Sequence, residues 1–127
     1  GRQRKMVIRD RRQAARSGYT AATRRWPDHT AAWMARGNAA FAADDPKAAR
    51  DAFLEAISLA PSEPPGWNNL AYALAATGDH GAAVEAAQCA TRLAPGATGP
   101  RDTLAELRVE AGNTPSPETD LPQCPAE

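Results

Sequence analysis

Small and apolar residues recur along the chain at helical spacing. Trp33, Gly37 and Ala40 stand at i, i+4 and i+7, one face of a helix, with Gly37 and Ala40 leaving room for a neighbouring backbone. Asp44, Asp45 and Pro46 then stop that helix and start another, proline being tolerated in a first helical turn. The second helix carries Ala49, Phe53, Ala56 and Ile57 on one side and ends at Ala60, before Pro61. Small residues on both facing stripes let the two helices approach closely, so the pattern predicts a helical hairpin. It then returns: Trp33, Ala49, Ala56 and Pro61 recur 34 residues later as Trp67, Ala83, Ala90 and Pro95, with no insertion. Residues between the kept positions differ freely, Met34 becoming Asn68 and Phe53 becoming Ala87. The kept positions therefore form a packing skeleton, and function belongs to the variable ones.

The same register organises the rest of the chain. One period back, Ala15, Tyr19, Ala22 and Pro27 match Ala49, Phe53, Ala56 and Pro61, which predicts a second-type helix from about Arg11 to Arg25 in a half repeat over residues 1–27. Gly1 to Arg9 shows no Trp or Gly in register, so the chain reads as cut from a larger protein. In the repeat over 30–61, Asp28 or Thr30 caps a helix to about Ala43 and Pro46 to Ala60 is its partner. In the repeat over 64–95, Pro61, Pro64 and Pro65 make a stiff connection and Trp67 to Thr77 is helical. Gly78 closes that helix, and Asp79 caps the next, from about His80 to Ala94. Leu104, Ala105 and Gly112 match Leu70, Ala71 and Gly78, predicting a capping helix within 98–112, with Arg101 in place of the Trp. Pro115 and Pro117 fall where its partner helix would begin, and with Pro122 and Pro125 they make 113–127 an extended or disordered tail.

The six spaced residues Trp33, Gly37, Ala49, Phe53, Ala56 and Pro61, most of them present again in the next copy, resemble the tetratricopeptide repeat. The resemblance implies an all-α fold, antiparallel hairpins stacked as a short right-handed solenoid with half repeats at both ends. It also implies a protein or peptide partner, held in a groove lined by the residues one, two and five places after the Trp. Carried over, these are Met34, Ala35 and Asn38, then Asn68, Asn69 and Tyr72, then Asp102, Thr103 and Glu106. Asn38 and Asn69 each offer a donor and an acceptor to a peptide backbone, while Asp102 and Glu106 favour a Lys or Arg on the ligand and disfavour a carboxylate. The strings WPDHTAAWMARGNAAF, WNNLAYALAATGD and RDTLAEL also look like C-terminal repeat segments of bacterial proteins, some with a papain-like peptidase domain upstream, where such a piece would be an accessory arm.

Composition adds three constraints. Thirty of the 127 residues are alanine and only 6% are aromatic, so helices pack through small side chains and a hairpin needs stacked neighbours to bury its apolar face. The formal charge of zero hides a split: residues 1–25 carry nine basic groups against Asp10 alone, leaving the remainder with a net charge of −8. A basic arm of this kind can attach to nucleic acid or an anionic membrane, but no aromatic interrupts Arg2 to Arg16, and a solvated helix face is the simpler reading. No phosphate-binding glycine loop, catalytic Cys and His pair or set of metal ligands is present, and neither His29 nor His80 has a ligand-like neighbour; no cofactor, small-molecule substrate or enzymatic activity is expected. Cys89 and Cys124 do not make a metal motif and are expected as free thiols, with Cys89 near the outer edge of its helix; a bond between them requires an oxidising compartment.

Overall fold

The computed structural model describes residues 2–112 and 118–125, with side chains from Arg9 onward. It contains six helices: α1 (Arg2–Arg25), α2 (Thr30–Ala42), α3 (Pro46–Leu59), α4 (Pro64–Ala76), α5 (His80–Leu93) and α6 (Thr98–Ala111). Among the described residues there is no strand. Each helix packs on the next, so α2 with α3 and α4 with α5 form the two hairpins, while α1 lies on α2 and α6 on α5. The first helices α2, α4 and α6 also touch in sequence order, which puts them side by side along one face of the stack.

Two helices differ from the expectation. α1 starts at Arg2 rather than near Arg11, because no glycine or proline interrupts Arg2–Arg16 and most of its residues are straight-chain types that extend a helix readily, so Asp10 lies inside the helix instead of capping it. α4 starts at Pro64 rather than Trp67: both prolines sit in the first turn, where a missing N–H costs nothing. The caps expected of Asp28 or Thr30 are absent, since His29 takes the N-cap position of α2 without a side-chain bond. Asp45 and Asp79 do cap, each accepting the amide three residues on, from Ala48 and Ala82 respectively at 3.2 Å. The turn before each cap is also repeated. Gly78 has φ +89°, and its counterpart Asp44 holds the left-handed region at φ +61°. The following amides reach back to Ala40 and Leu74 carbonyls.

The core consists largely of alanine. Ala49, Ala52 and Ala56 of α3 and Ala82, Ala83, Ala86, Ala87 and Ala90 of α5 are all buried, with Phe53, Ile57, Trp67, Leu70 and Leu74 as the large members. Gly37 lets α2 and α3 close up: a Cβ there would run into the Phe53 ring. The kept Trp and Pro positions explain each other. Trp33 Nε1 donates to the Pro27 carbonyl and Trp67 Nε1 to the Pro61 carbonyl, both at 2.8 Å, tying each first helix to the end of the helix before it. At the N-terminal end the contacts turn polar. Arg16 pairs with Asp45, and buried Thr23 accepts from Arg36 at 2.8 Å while donating to the Thr20 carbonyl at 2.9 Å.

The cysteines are paired, which corrects the expectation of free thiols. Cys89 and Cys124 are disulfide-bonded with Cα atoms 5.7 Å apart, and Cys89 is buried rather than at the helix edge. Residues 118–125 have no regular secondary structure, yet they do not run free. Asp79 accepts the amides of Glu118 at 3.2 Å and Thr119 at 2.7 Å, Leu121 packs against the core, and Cys124 is bonded to the middle of α5. The segment is a strap along α5. Residues 113–117 and 126–127 of the predicted tail lie outside the described residues.

Two measurements test these packing arguments. Gly37→Ala should destabilise by about 1–3 kcal/mol through the clash with Phe53, while Gly18→Ala, in open space inside α1, should stabilise by up to about 1 kcal/mol. Urea titration of the two variants checks the contrast. The strap anchor should respond to acid: burial works against the charge of Asp79, but hydrogen bonds from Thr119, Glu118 and Ala82 outweigh it and hold the carboxyl below its ordinary value of 3.8. Its stabilising contribution is therefore complete above that ordinary value and is lost as pH falls through the depressed one. The Glu118 and Thr119 amide resonances should titrate together with a midpoint below 3.8, and should stay flat in Asp79→Asn.

Candidate partner-binding face

The face made by α2, α4 and α6 is joined across its helices by side chains from the variable positions. Asn69 Nδ2 of α4 donates to Asn38 Oδ1 of α2 at 3.1 Å. Tyr72 of α4 lies 3.0 Å from the Thr103 hydroxyl of α6, which in turn donates to the Gly99 carbonyl at 3.0 Å. The two rungs repeat one geometry: each joins the residue five places after the Trp position of one first helix to the residue two places after it on the next, 31 residues on. Thr103 is buried by this contact. Asn68 is half-buried, and its Oδ1, though shut off from solvent, has no hydrogen-bond partner among the described residues.

Two shallow clefts lie on this face. One, of about 380 Å³, is lined by Thr30, Met34, Ala35 and Asn38 of α2 and by Glu63, Pro65 and Gly66 at the start of α4. The other, of about 100 Å³, lies between Asn38, Phe41, Phe53, Asn69 and Tyr72. Of the residues carried over from sequence, Met34, Asn38, Asn69 and Tyr72 therefore border clefts, with Asn38 shared by both. Asp102 and Glu106 are exposed on α6 and line neither cleft. A larger cavity of about 500 Å³ lies elsewhere, between α5 and the strap, where Glu85 and Asp120 stand with Arg92. Its mixed charges and its wall of strap residues make it a packing gap beside the disulfide.

The sequence reading missed Phe41 and Val109. Phe41 is 42% exposed and Tyr72 40%, and Val109 on α6 is 84% exposed. Phe41 and Val109 each stand seven places after a predicted site residue, Met34 and Asp102, so the same helical stripe extended by two turns would have found them. Phe41 and Tyr72 border the same cleft, so their exposed rings lie together.

Two family profiles described as tetratricopeptide repeat match the chain, at residues 9–64 and 52–85, together spanning most of α1 to α5. The chain belongs to the tetratricopeptide repeat family. No curated protein sequence matches it. Tetratricopeptide repeats generally mediate protein–protein contacts and are typically non-catalytic scaffolds. Within this repeat array the two histidines are placed differently. His29 is exposed and stacks on Trp26, with ring centroids 6.0 Å apart, whereas His80 in the first turn of α5 is half-buried with Nδ1 shut off from solvent. No helix of the described residues is long and apolar enough to cross a membrane.

Proposed function

We propose that the face of α2, α4 and α6 holds an extended segment of a partner protein, running from the Met34 cleft to Asp102 and Glu106. The observation that carries this reading is the pair of amide and hydroxyl rungs, Asn38–Asn69 and Tyr72–Thr103, flanked by the half-exposed rings of Phe41 and Tyr72. An extended backbone presents donors and acceptors in alternation. Asn38, Asn68 and Asn69 offer both, and the buried Asn68 Oδ1 lacks a donor among the described residues. Met34, Phe41 and Tyr72 supply apolar area for one or two side chains of the segment, with methionine adapting its shape to either. Asp102 and Glu106 on α6 then favour a Lys or Arg at that end, and repel a free carboxylate.

Selection of random peptides displayed against the intact protein tests the reading. The selected peptides should share an apolar residue followed by a basic one, and Asp102→Lys combined with Glu106→Lys should weaken them about tenfold or more. Charge reversal at Arg11 and Arg12 should leave them unchanged. Peptides that keep their affinity in the α6 variant and lose it in the α1 variant would move the site to the basic helix.

A further inference from the structure

The exposed side of α1 carries the pattern of a buried one. Ala15, Gly18, Tyr19 and Ala22 stand one period before Ala49, Ala52, Phe53 and Ala56 of α3. In α3 these four are no more than 2% exposed, because α2 covers them and sets Gly37 against the Phe53 ring. In α1 Ala15 and Gly18 are exposed, Tyr19 is 40% exposed, and Trp26, next along the same stripe, is 45% exposed. Nothing occupies 4 Å around a Cβ built at Gly18. The packed side of α1 is a different stripe, where Thr23 accepts from Arg36 of α2 and Arg16 reaches Asp45 at the start of α3.

The repeat itself does not supply the missing cover. In the following repeat the chain turns at Asp44 and Asp45 to form the hairpin, and the positions one period earlier are Asp10 and Arg11. Both lie inside α1, which runs straight through the place of the turn.

Charge says what fits. Arg11 and Arg12 are exposed and extend the stripe by about one turn beyond Ala15, and Arg25 lies over the Trp26 ring at 5.0 Å. Ion pairs among the described residues join only Arg16 to Asp45 and Arg50 to Asp51. A helix packed antiparallel on this stripe, as α2 packs on α3, would bring its C-terminus against Arg11 and Arg12. The negative end of a helix dipole and acidic residues in the last turn both suit that place.

We propose that the Ala15–Tyr19–Trp26 stripe of α1 is a docking surface for an amphipathic helix of a partner protein. That helix sets a glycine or alanine against Tyr19 and carries acidic residues at its C-terminal end, facing Arg11 and Arg12. This surface is separate from the α2, α4 and α6 face. An extended nucleic acid or lipid surface would use the arginines alone. A docked helix needs Tyr19 as well.

A fluorescein-labelled peptide of residues 28–45, whose Trp33, Gly37 and Ala40 form the covering stripe and which ends in Asp44 and Asp45, serves as the probe for the intact protein. Anisotropy should show binding that weakens about tenfold or more in Tyr19→Glu and in Arg11→Glu with Arg12→Glu. A peptide carrying Asp44→Lys and Asp45→Lys should bind that double variant better than the native peptide does. Circular dichroism of the variants, all at exposed positions, checks that the helices persist. Absence of binding overturns the proposal, as does binding indifferent to Tyr19→Glu. So does tighter capture of a 16-base-pair duplex or phosphatidylserine vesicles that depends on Arg11 and Arg12 but not on Tyr19.

Discussion

Close approach of helix backbones is the constraint on which this structure rests. Eleven of the nineteen buried apolar residues described are alanine, and a methyl group fills little space, so the helices must lie almost backbone to backbone to leave no void. Gly37 is the extreme case, with the edge of Phe53 in the volume a side chain would take. Alanine burial contributes little per residue, about 0.8 kcal/mol for one methyl-sized group, so stability accumulates only along the stack. The repeated Trp to Pro carbonyl bonds fix the spacing that close packing requires.

An array built this way is weakest at its ends, and the two ends are treated differently. At the C-terminal end α6 buries only Thr103, Leu104 and Leu107. It sits inside the loop closed by Cys89 and Cys124, 35 residues apart in sequence, and this closure lowers the entropy that α6 would gain by undocking. At the N-terminal end α1 is held by an ion pair from Arg16 to Asp45, the N-cap of α3, and by the Arg36 to Thr23 bond from α2, and it keeps a repeat-type stripe uncovered. One end is locked covalently, while the other is left available for contact.

Much of this was legible in the sequence because the 34-residue period states its own geometry. The hairpins, the Asp79 cap and the glycine turn all follow from residues that recur in register. The start of α1 was misplaced because the register predicts a turn at Asp10 and Arg11, whereas the local sequence has no glycine or proline there to break a helix. The disulfide is not legible in the sequence, since a pairing of Cys89 with Cys124 depends on the path of a proline-rich segment that carries no periodic signal. On the candidate face, Asn38, Asn69 and Tyr72 were found through their place after each Trp. Their hydrogen bonds to one another were not foreseeable, as those depend on the lateral offset between α2, α4 and α6. Phe41 and Val109 were overlooked because the stripe was followed for only five residues of each helix.

The proposed partner face needs all three first helices, and α6 is the member with the thinnest core, so the account depends on α6 being held in place by the locked strap. Native-state hydrogen exchange of the α6 amides, with the disulfide intact and after reduction, measures this directly. The account predicts that Leu104 to Arg108 are protected in the oxidised protein and lose at least about tenfold of that protection on reduction, as a loop of this length implies. Amides of α6 that exchange freely with the bond intact, or that keep their protection when it is reduced, would contradict it.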